Sequence, residues 1–205
     1  MENKKEDFEQ RAFRLFFQKP GLKLFFGNIG TYKTSLILFL SKKFGLKGFY
    51  IATGKHIYDS VSIPTNLRLI KSKSLFSDLK IGFSLVRSFS KIIVIHDTLV
   101  ANILTSRAFL NEVVIAKLVL SLLNLYRELG NKGSYIIIID YINELTGKPV
   151  SWSYSKHYIS SIVRSEINAK ERTYNLTLLN RNLEELMAFS TSIEELKREL
   201  YEIIS

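Results

Sequence analysis

The distribution of apolar and polar residues divides the chain into a longer first part and a shorter second part. In the first part, stretches that are apolar throughout predict buried strands, and they alternate with segments whose apolar residues recur at helical spacing. The predicted strands are Leu22–Phe26, Gly48–Thr53, a weaker one around Leu67–Ile70, Lys91–Thr98 and Tyr135–Asp140; the predicted helices cover residues 36–44, 75–86 and 110–129, with Gly45 and Gly130 closing the first and third. This alternation is typical of a parallel sheet covered by helices on both faces.

Beyond Pro149 the spacing changes. The segments Tyr158–Arg164 and Thr173–Leu179 are typical of strands, and a polar turn lies between them at residues 168–172, which predicts an antiparallel hairpin. Ser192 and Glu195 form the pair of a capping box, which marks the start of a helix. That helix would carry Ile193, Leu196, Leu200 and Ile203 on one face, and we expect it to pack against the sheet or a neighbouring subunit.

Composition places these elements in one domain. The chain has 205 residues, of which 46% are hydrophobic and 12% aromatic, and this is enough to bury one substantial core. No linker rich in Pro, Gly or Ser divides it. We therefore expect a single domain over residues 1–205, with residues 1–19 as an N-terminal extension and residues 183–205 as a C-terminal helical segment.

Charge and cysteine content narrow the classes of function. Lys and Arg number 29 against 19 Asp and Glu, a net charge of +10, which favours an anionic partner and predicts binding that weakens with salt. The absence of cysteine excludes disulfides and thiolate metal sites, and the three dispersed histidines do not predict a zinc site. The charged N-terminus lacks a signal-peptide core, and Lys117 interrupts the most apolar later stretch, so we expect a cytoplasmic protein without a membrane segment.

The most informative motif is a glycine loop between the first strand and the first helix. Gly27, Lys33 and Thr34 match three of the four defined positions of the phosphate-binding template, in which backbone N–H groups, a lysine and a hydroxyl hold phosphates and Mg²⁺. The following helix N-terminus would add partial positive charge. The candidate nucleotide-binding residues are Gly27, Asn28, Ile29, Gly30, Thr31, Tyr32, Lys33, Thr34 and Ser35. The alternative is an ordinary strand-to-helix turn that contains glycines.

Tyr32 stands where this template has its second glycine. If the loop needs a left-handed backbone at this position, a side chain costs about 1–2 kcal/mol, and a tyrosine would also crowd the nucleotide. Two interpretations stay open. The ring could stack on a ligand or partner, or the loop could be relaxed enough to accommodate it.

Acids close two of the predicted strands, at Asp97 and Asp140. In a parallel sheet these strand ends lie at the same edge as the glycine loop. An acid at the end of an apolar strand is the group that supports Mg²⁺ in such nucleotide sites, so we expect Asp97 and Thr34 to hold the ion. His96, next to this acid, is expected to be packed or hydrogen-bonded locally rather than to act as a base.

The order of these features resembles that of the RecA/RadA recombinase core over roughly residues 20–180. The shared features are the loop Gly27–Thr34, the strand Phe49–Gly54, the strand ends at His96–Thr98 and Asp140–Tyr141, and the final hairpin. The chain looks most like a short archaeal RadA paralog that consists of the ATPase core alone. The resemblance implies an α/β, RecA-like P-loop NTPase core with a mostly parallel central sheet, flanking helices and a C-terminal antiparallel hairpin. It also implies ATP and Mg²⁺ as ligands, with no other metal.

Two departures from that family concern hydrolysis. The family has a glutamate after its second strand that activates the attacking water, whereas the equivalent run here, Tyr50–Gly54, ends in Gly54 and has no acid. Loss of such a base removes about 10²–10⁴-fold of rate. The family's polar sensor run is replaced by Asp140–Asn143, in which Asp140 and Asn143 are the candidate substitutes.

The resemblance also places two DNA-binding loops, at residues 99–111 and 141–157. Arg107 is the cation of the first. The second interleaves Lys148 and Lys156 with Trp152 and Tyr154, a combination suited to single-stranded DNA, where each stacked base is worth about 1–3 kcal/mol. The pattern fits equally well an ordinary surface loop with one half-buried tryptophan that does not bind DNA.

Together these features predict an ATP-binding RecA/RadA-like recombinase paralog, an accessory or regulatory factor in homologous recombination and DNA repair with weak or no ATP hydrolysis. Its expected partners are ATP, single-stranded DNA and a recombinase or other paralog. One alternative is a non-enzymatic protein-interaction module with a degenerate nucleotide site. The other is an active RecA-like ATPase of regulatory type, or a kinase, in which Asp59, Asp140 or Glu144 replaces the missing acid.

Overall fold

The computed structural model describes the backbone of residues 7–53 and 63–204 and the side chains of residues 7–53 and 63–201. These residues form seven helices and one sheet of eight strands. The helices are α1 (Phe8–Phe17), α2 (Lys33–Lys43), α3 (Leu75–Ser88), α4 (Leu99–Ser106), α5 (Glu112–Asn131), α6 (Trp152–Ser155) and α7 (Ile193–Ile204). The strands are β1 (Gly21–Gly27), β2 (Gly48–Ala52), β3 (Leu67–Lys71), β4 (Ile93–His96), β5 (Tyr135–Tyr141), β6 (Ser161–Asn168), β7 (Thr173–Leu179) and β8 (Glu185–Ser192).

The strands lie in the order β3-β2-β4-β5-β1-β6-β7-β8. The first six of these are parallel to one another, and β6, β7 and β8 are joined by antiparallel pairing. The mostly parallel sheet and the C-terminal hairpin of β6 and β7 are therefore confirmed. The antiparallel part has one strand more than the sequence predicts.

Both faces of the sheet are covered, as its apolar strands require. In β1, Leu22, Leu24 and Phe26 face one core, which is completed by α3, α4 and α5. Phe25 faces the other core, to which α1, α2 and α7 contribute. Because successive side chains of a strand point to opposite faces, Lys23 lies on the same face as Phe25, beneath α1.

Three segments have a structure that their sequence pattern does not predict. Residues 8–17, in the expected extension, form α1, whose side chains Ala12 and Phe16 are completely buried. Residues 99–106, within the first expected DNA loop, form the short apolar helix α4. Residues 185–192, within the expected helical segment, form the edge strand β8, and most of its side chains are exposed. A strand with so little buried surface lacks the alternation by which strands are recognised.

The C-terminus of α5 and the N-terminus of α7 can be compared with the ends predicted from the sequence. Gly130 does not end α5, which runs on to Asn131. Its role is close packing, because a Cβ at Gly130 would lie 2.9 Å from the Cα of Gly21. At α7 the capping box is confirmed in part: the N–H of Glu195 donates to Oγ of Ser192 at 3.1 Å, whereas the Glu195 carboxylate accepts from Thr191 instead of the cap backbone.

The sheet topology brings one edge of the sheet to the glycine loop. Gly27 at the end of β1 pairs with Tyr141 of β5, and β4, which ends at His96, lies beside β5. Asp97 therefore lies at the same edge, as the sequence predicts. The opposite edge holds the first residues of β1 and β6 and the last residue of β7. Over the described ranges, no helix has the length and apolar character needed to cross a membrane.

Candidate nucleotide-binding site

The glycine loop is fixed to β6 by close backbone contact. A Cβ at Gly27 would lie 2.4 Å from the carbonyl oxygen of Ser165, so a glycine is needed for β6 to approach. The hydroxyl of Thr31 donates to the carbonyl of Asn28 at 2.8 Å and lies 2.8 Å from the hydroxyl of Ser165. The tip of the loop is exposed, with Ile29 86% accessible. The loop therefore has a tethered base and an open tip.

Lys33 is folded back into the loop. Its Nζ donates to the carbonyl oxygens of Gly27 at 3.1 Å and Asn28 at 2.6 Å, and it lies 4.7 Å from the centroid of the Tyr141 ring. Burial lowers the pKa of Lys33 to about 8, although the carboxylates of Asp97 and Asp140 act in the opposite direction. An anionic phosphate would replace neutral carbonyls as the partner of this lysine and give a stronger, charge-assisted bond.

Tyr32 has a left-handed backbone, with φ 51° and ψ 20°, immediately before α2. The loop therefore does need a left-handed backbone at this position, and this conformation is costly for a residue with a side chain. The ring is partly buried and packs against the core on the side of α1 and α2. This packing offsets part of the backbone strain. It also directs part of the ring into the protein interior.

Asp97 lies opposite the first turn of α2. Its Oδ2 accepts hydrogen bonds from the hydroxyl of Thr34 at 2.8 Å and of Tyr50 at 3.1 Å. Its Oδ1 is buried and has no hydrogen-bond partner within the described part of the chain. Burial raises the pKa of Asp97 to about 6, while the bonds from Thr34 and Tyr50 and the charge of Lys33 oppose this rise. A buried oxygen without a partner is rare and indicates a site for an ion or water.

These residues fit Mg²⁺ that arrives with a nucleotide. The hydroxyl of Thr34 and the carboxylate of Asp97 supply two oxygen ligands of the kind that this ion prefers, and the remaining ligands of such sites come from phosphates and water. No group of three His, Cys, Asp or Glu side chains with metal-site geometry occurs in residues 7–53 and 63–204. If a nucleotide binds at the glycine loop, Thr34 and Asp97 would hold its Mg²⁺, and the ion would supply positive charge next to the phosphates.

Asp140 lies near the loop but is used differently. Its Oδ1 accepts from the N–H groups of Tyr141 at 2.6 Å and Val150 at 3.2 Å, and its Oδ2 accepts from the N–H of Ser151 at 3.0 Å and its hydroxyl at 2.6 Å. Burial raises the pKa of Asp140, and these four bonds oppose the rise. Both oxygens are occupied in holding the segment after β5. The acid is thus a structural anchor for that segment.

His96 is hydrogen-bonded within the core, as the sequence predicts. Its Nδ1 lies 2.9 Å from the hydroxyl of Tyr126 on α5, and its Nε2 lies 3.1 Å from Oδ1 of Asp78 on α3. All three side chains are completely buried. Burial alone would raise the pKa of Asp78, but His96 and hydrogen bonds from Ser72 and Asn102 lower it below its ordinary value. The network joins the end of β4 to both helices.

The two expected DNA loops meet at Glu112, the first residue of α5. Arg107 follows α4 and forms an ion pair with Glu112 at 3.0 Å, and the same carboxylate accepts from the hydroxyl of Tyr154 at 2.8 Å. Trp152 begins α6 and is partly buried against the core on the α5 side. Lys148 and Lys156 are exposed. The structure brings Arg107 and Tyr154 together through Glu112, a residue that the sequence pattern does not single out.

The second loop has a defined local structure. Ile142 and Pro149 form an antiparallel bridge, and the N–H of Asn143 donates to the carbonyl of Lys148 at 2.8 Å. At the tip, Leu145 is 97% exposed. The segment is therefore a small hairpin held by Asp140 at its base, followed by the single turn of α6.

Three side chains at the site are not among the sequence candidates. Tyr50 donates to Asp97, Ser165 contacts Thr31, and Tyr141 covers the Lys33 ammonium. Tyr141 could have been found from the rule that neighbouring parallel strands end together, because it follows the acid of β5. Gly54 and Asp59, which bear on the missing acid, lie outside the described residues.

Comparisons with known proteins agree with this geometry at the level of the fold. Neither the models of protein families nor the curated proteins include a match to this chain. Among solved structures, the crystal structure of the RadB recombinase matches with a TM-score of 0.62 and 16% sequence identity, over 85% of this chain and 88% of that one. A similarity at this level of identity concerns the fold. The chain therefore has a RecA-like fold, with the glycine loop and Asp97 at the carboxyl edge of its parallel sheet.

Proposed function

We propose that this protein binds Mg-ATP and acts as an accessory or regulatory factor in homologous recombination and DNA repair, as a paralog of RecA/RadA recombinases with weak or no ATP hydrolysis. The observation that carries the proposal is the buried Oδ1 of Asp97, which lacks a partner among residues 7–53 and 63–201, while Oδ2 of the same carboxylate accepts a hydrogen bond from Thr34 at 2.8 Å. This oxygen is available as a metal ligand near Lys33, whose hydrogen bonds within the same ranges go to neutral oxygens.

The use of the nearby acids supports slow hydrolysis. Among the residues that the structure describes, the two carboxylates whose charges act on Lys33 are those of Asp97 and Asp140. The first is placed for the metal, and the second has both oxygens occupied by four hydrogen bonds. Glu144 is exposed in the hairpin after β5. Activation of water by a base contributes about 10²–10⁴-fold, and neither acid beside Lys33 is free to supply it.

The DNA-binding part of the proposal depends on the hairpin after β5 and on α6. Lys148 and Lys156 are exposed there, and Trp152 and Tyr154 are only partly covered. Single-stranded DNA is bound by this combination of cations and aromatic rings. Arg107 is partly neutralised by Glu112, so we assign the larger share of the electrostatic attraction to the two lysines.

The test is a calorimetric titration with Mg-ATP, with ATP in excess EDTA, and with Mg²⁺ alone, followed by hydrolysis assays with and without oligo-dT. We expect binding of Mg-ATP that weakens without Mg²⁺, and turnover that oligo-dT changes little. Rapid DNA-stimulated release of phosphate would contradict the argument from the acids. Absence of any Mg-ATP binding would overturn the proposal.

A second candidate is a protein-interaction module whose nucleotide site is degenerate. Tyr32 favours it, because a tyrosine in left-handed backbone stands where the phosphate-binding template has glycine. The two candidates differ in thermal unfolding with Mg-ATP. A shift of the midpoint that grows with ligand concentration supports the nucleotide-binding protein, and its absence supports the module.

A further inference from the structure

A groove lies at the sheet edge opposite the glycine loop. It has a volume of about 850 Å³ and is bounded by the second half of α1, the first residues of β1 and β6, the end of β7 and the edge strand β8. A groove of this size falls in the range of ligand sites. It is independent of the proposed nucleotide site, which lies at the other end of β1.

The charged side chains that line the groove, among the described residues, are all positive. Its described lining contains five cations and no acidic side chain; the cations are Arg11, Arg14, Lys19, Lys23 and Arg181. Two of them come from α1, two from the start of the sheet edge, and Arg181 from the turn after β7. Cations that converge from separate segments on one concave surface attract an anionic ligand.

Lys23 is the unusual member of this set. Its side chain is only 2% exposed, and its Nζ donates a single hydrogen bond, to the carbonyl of Lys19 at 2.5 Å. In the described ranges no carboxylate pairs with it, and the centroid of the Tyr135 ring lies 5.9 Å from its Nζ. An ammonium group can donate three hydrogen bonds. A buried charge without an opposite charge is costly, and burial accordingly lowers the pKa of Lys23 to about 8.

The floor of the groove is apolar. Leu178 and Phe189 line it from β7 and β8, and Leu186 and Met187 are 62% and 54% exposed on the edge strand. Exposed apolar side chains grouped beside cations indicate a binding surface for a partner that is both apolar and acidic. A nucleic acid would find one aromatic ring here, that of Phe189, where single-strand sites usually offer several.

We propose that this groove binds an acidic segment of another protein that also carries apolar side chains, and that Lys23 receives one of its carboxylates. The apolar side chains of the segment contact Leu186 and Met187 on β8. Arg11 and Arg181 at the rim attract the remaining acids. The carboxylate supplies the opposite charge that the ammonium of Lys23 lacks within the described chain.

The probe for this site is a synthetic peptide of twelve residues in which aspartate or glutamate alternates with leucine or phenylalanine, labelled for fluorescence anisotropy with the full chain. We expect one peptide to bind per chain, with an affinity that falls as salt is raised. Lys23→Met should weaken binding at least about 30-fold, as expected for loss of one partner of a buried charge pair. Arg181→Gln, at the rim, should weaken it less than about fivefold.

Three controls make the result decisive. Lys117→Gln removes an exposed charge from α5 on the other face of the sheet and should leave binding unchanged. A peptide with serine in place of its apolar residues and a peptide with glutamine in place of its acids should both bind more weakly. Because Arg11 is exposed, Arg11→Gln tests the site without changing a buried residue.

The proposal is overturned if Lys23→Met or Arg11→Gln binds the peptide as the wild type does, or if the glutamine peptide binds equally well. It is also overturned if oligo-dT of equal charge displaces the peptide at lower concentration, which would assign the groove to nucleic acid. Self-association in sedimentation that Arg181→Gln abolishes would assign it to a second copy of the chain. Peptide binding that Lys33→Ala does not change supports a site separate from the glycine loop.

Discussion

Two buried lysines lie at opposite ends of β1, and burial lowers the pKa of each to about 8. Lys33 donates to three oxygens of its own loop and is near two carboxylates. Lys23 donates to one carbonyl and has no carboxylate nearby among the described residues. The same depressed pKa therefore arises in two environments, one in which the ammonium is held by its surroundings and one in which it is nearly isolated.

The difference shows how to interpret a buried cation. At the glycine loop, oxygens of the loop surround the ammonium, and the carboxylates of Asp97 and Asp140 partly compensate its charge. At the groove, no carboxylate offsets the burial of the ammonium, and burial alone lowers the pKa of Lys23. We therefore expect loss of Lys33 to act chiefly on nucleotide binding and loss of Lys23 to act on stability and on binding at the groove; the expected effects follow from the largest to the smallest.

The largest effect is expected from Lys23→Met. The pKa of this lysine is lowered from 10.5 to about 8, so its charge destabilises the folded state below pH 8, and the cost disappears as the pH rises to about 10.5. The variant should exceed the wild type in free energy of unfolding by about 3 kcal/mol at pH 7. Urea denaturation at pH 7 and pH 10 measures the difference in free energy of unfolding between the variant and the wild type, which should be smaller at pH 10. If the exposed-site variant Lys117→Met is stabilised by the same amount, burial of Lys23 is not the cause.

A slightly smaller effect is expected from Asp97→Asn. Because burial raises the pKa of Asp97 from 3.8 to about 6, its ionisation destabilises the folded state as the pH rises from about 4 through 6. The variant should be more stable than the wild type by about 2–3 kcal/mol at pH 7 and equal to it near pH 4. It should also lose the Mg²⁺ dependence of ATP binding. A constant difference in the free energy of unfolding across this pH range would contradict the assignment.

Lys33→Ala should reduce the affinity for Mg-ATP by roughly 10- to 150-fold, which corresponds to about 1.5–3 kcal/mol for a hydrogen bond to a charged group. Calorimetry measures this change. Lys117→Ala, an exposed lysine on α5, is the matched control and should bind as the wild type does. If Lys33→Ala retains full affinity, the glycine loop does not hold the phosphates.

The smallest effect is expected from Tyr32→Gly. Glycine relieves the left-handed strain, worth about 1–2 kcal/mol, but it removes the packing of a partly buried ring. The free energy of unfolding should change by less than about 1 kcal/mol, while the affinity for Mg-ATP rises severalfold because the loop has more room. Weaker nucleotide binding by this variant would instead indicate that the ring stacks on the ligand.

The carboxyl edge of the sheet was predictable from the sequence because local rules determine it. A glycine loop between a strand and a helix places Lys33 and Thr34, and parallel strands end together, which places Asp97 beside them. The pattern of strand ends left Asp140 open as a substitute for the missing acid or for the polar sensor. What distinguishes Asp140 is the hydroxyl and N–H of Ser151, eleven residues later, and a local pattern carries no information about such a contact.

The groove at the opposite edge was not predictable for the same reason. Its walls belong to α1, β1, β7 and β8, and two of these, α1 and β8, are absent from the predicted elements. The sequence did contain one signal. Lys23 stands between Leu22 and Leu24 in a strand expected to be covered on both faces, so its burial follows once that strand is placed in the middle of a two-layered sheet.

The hydrogen bonds of His96 have a mechanical consequence for the residue that follows it. His96 is the last residue of β4, and its imidazole contacts Asp78 on α3 and Tyr126 on α5. The next residue along the chain is Asp97. A displacement of α3 or α5 along the sheet would therefore be transmitted through this ring to the backbone that carries Asp97, and so to the carboxylate that holds the hydroxyl of Thr34.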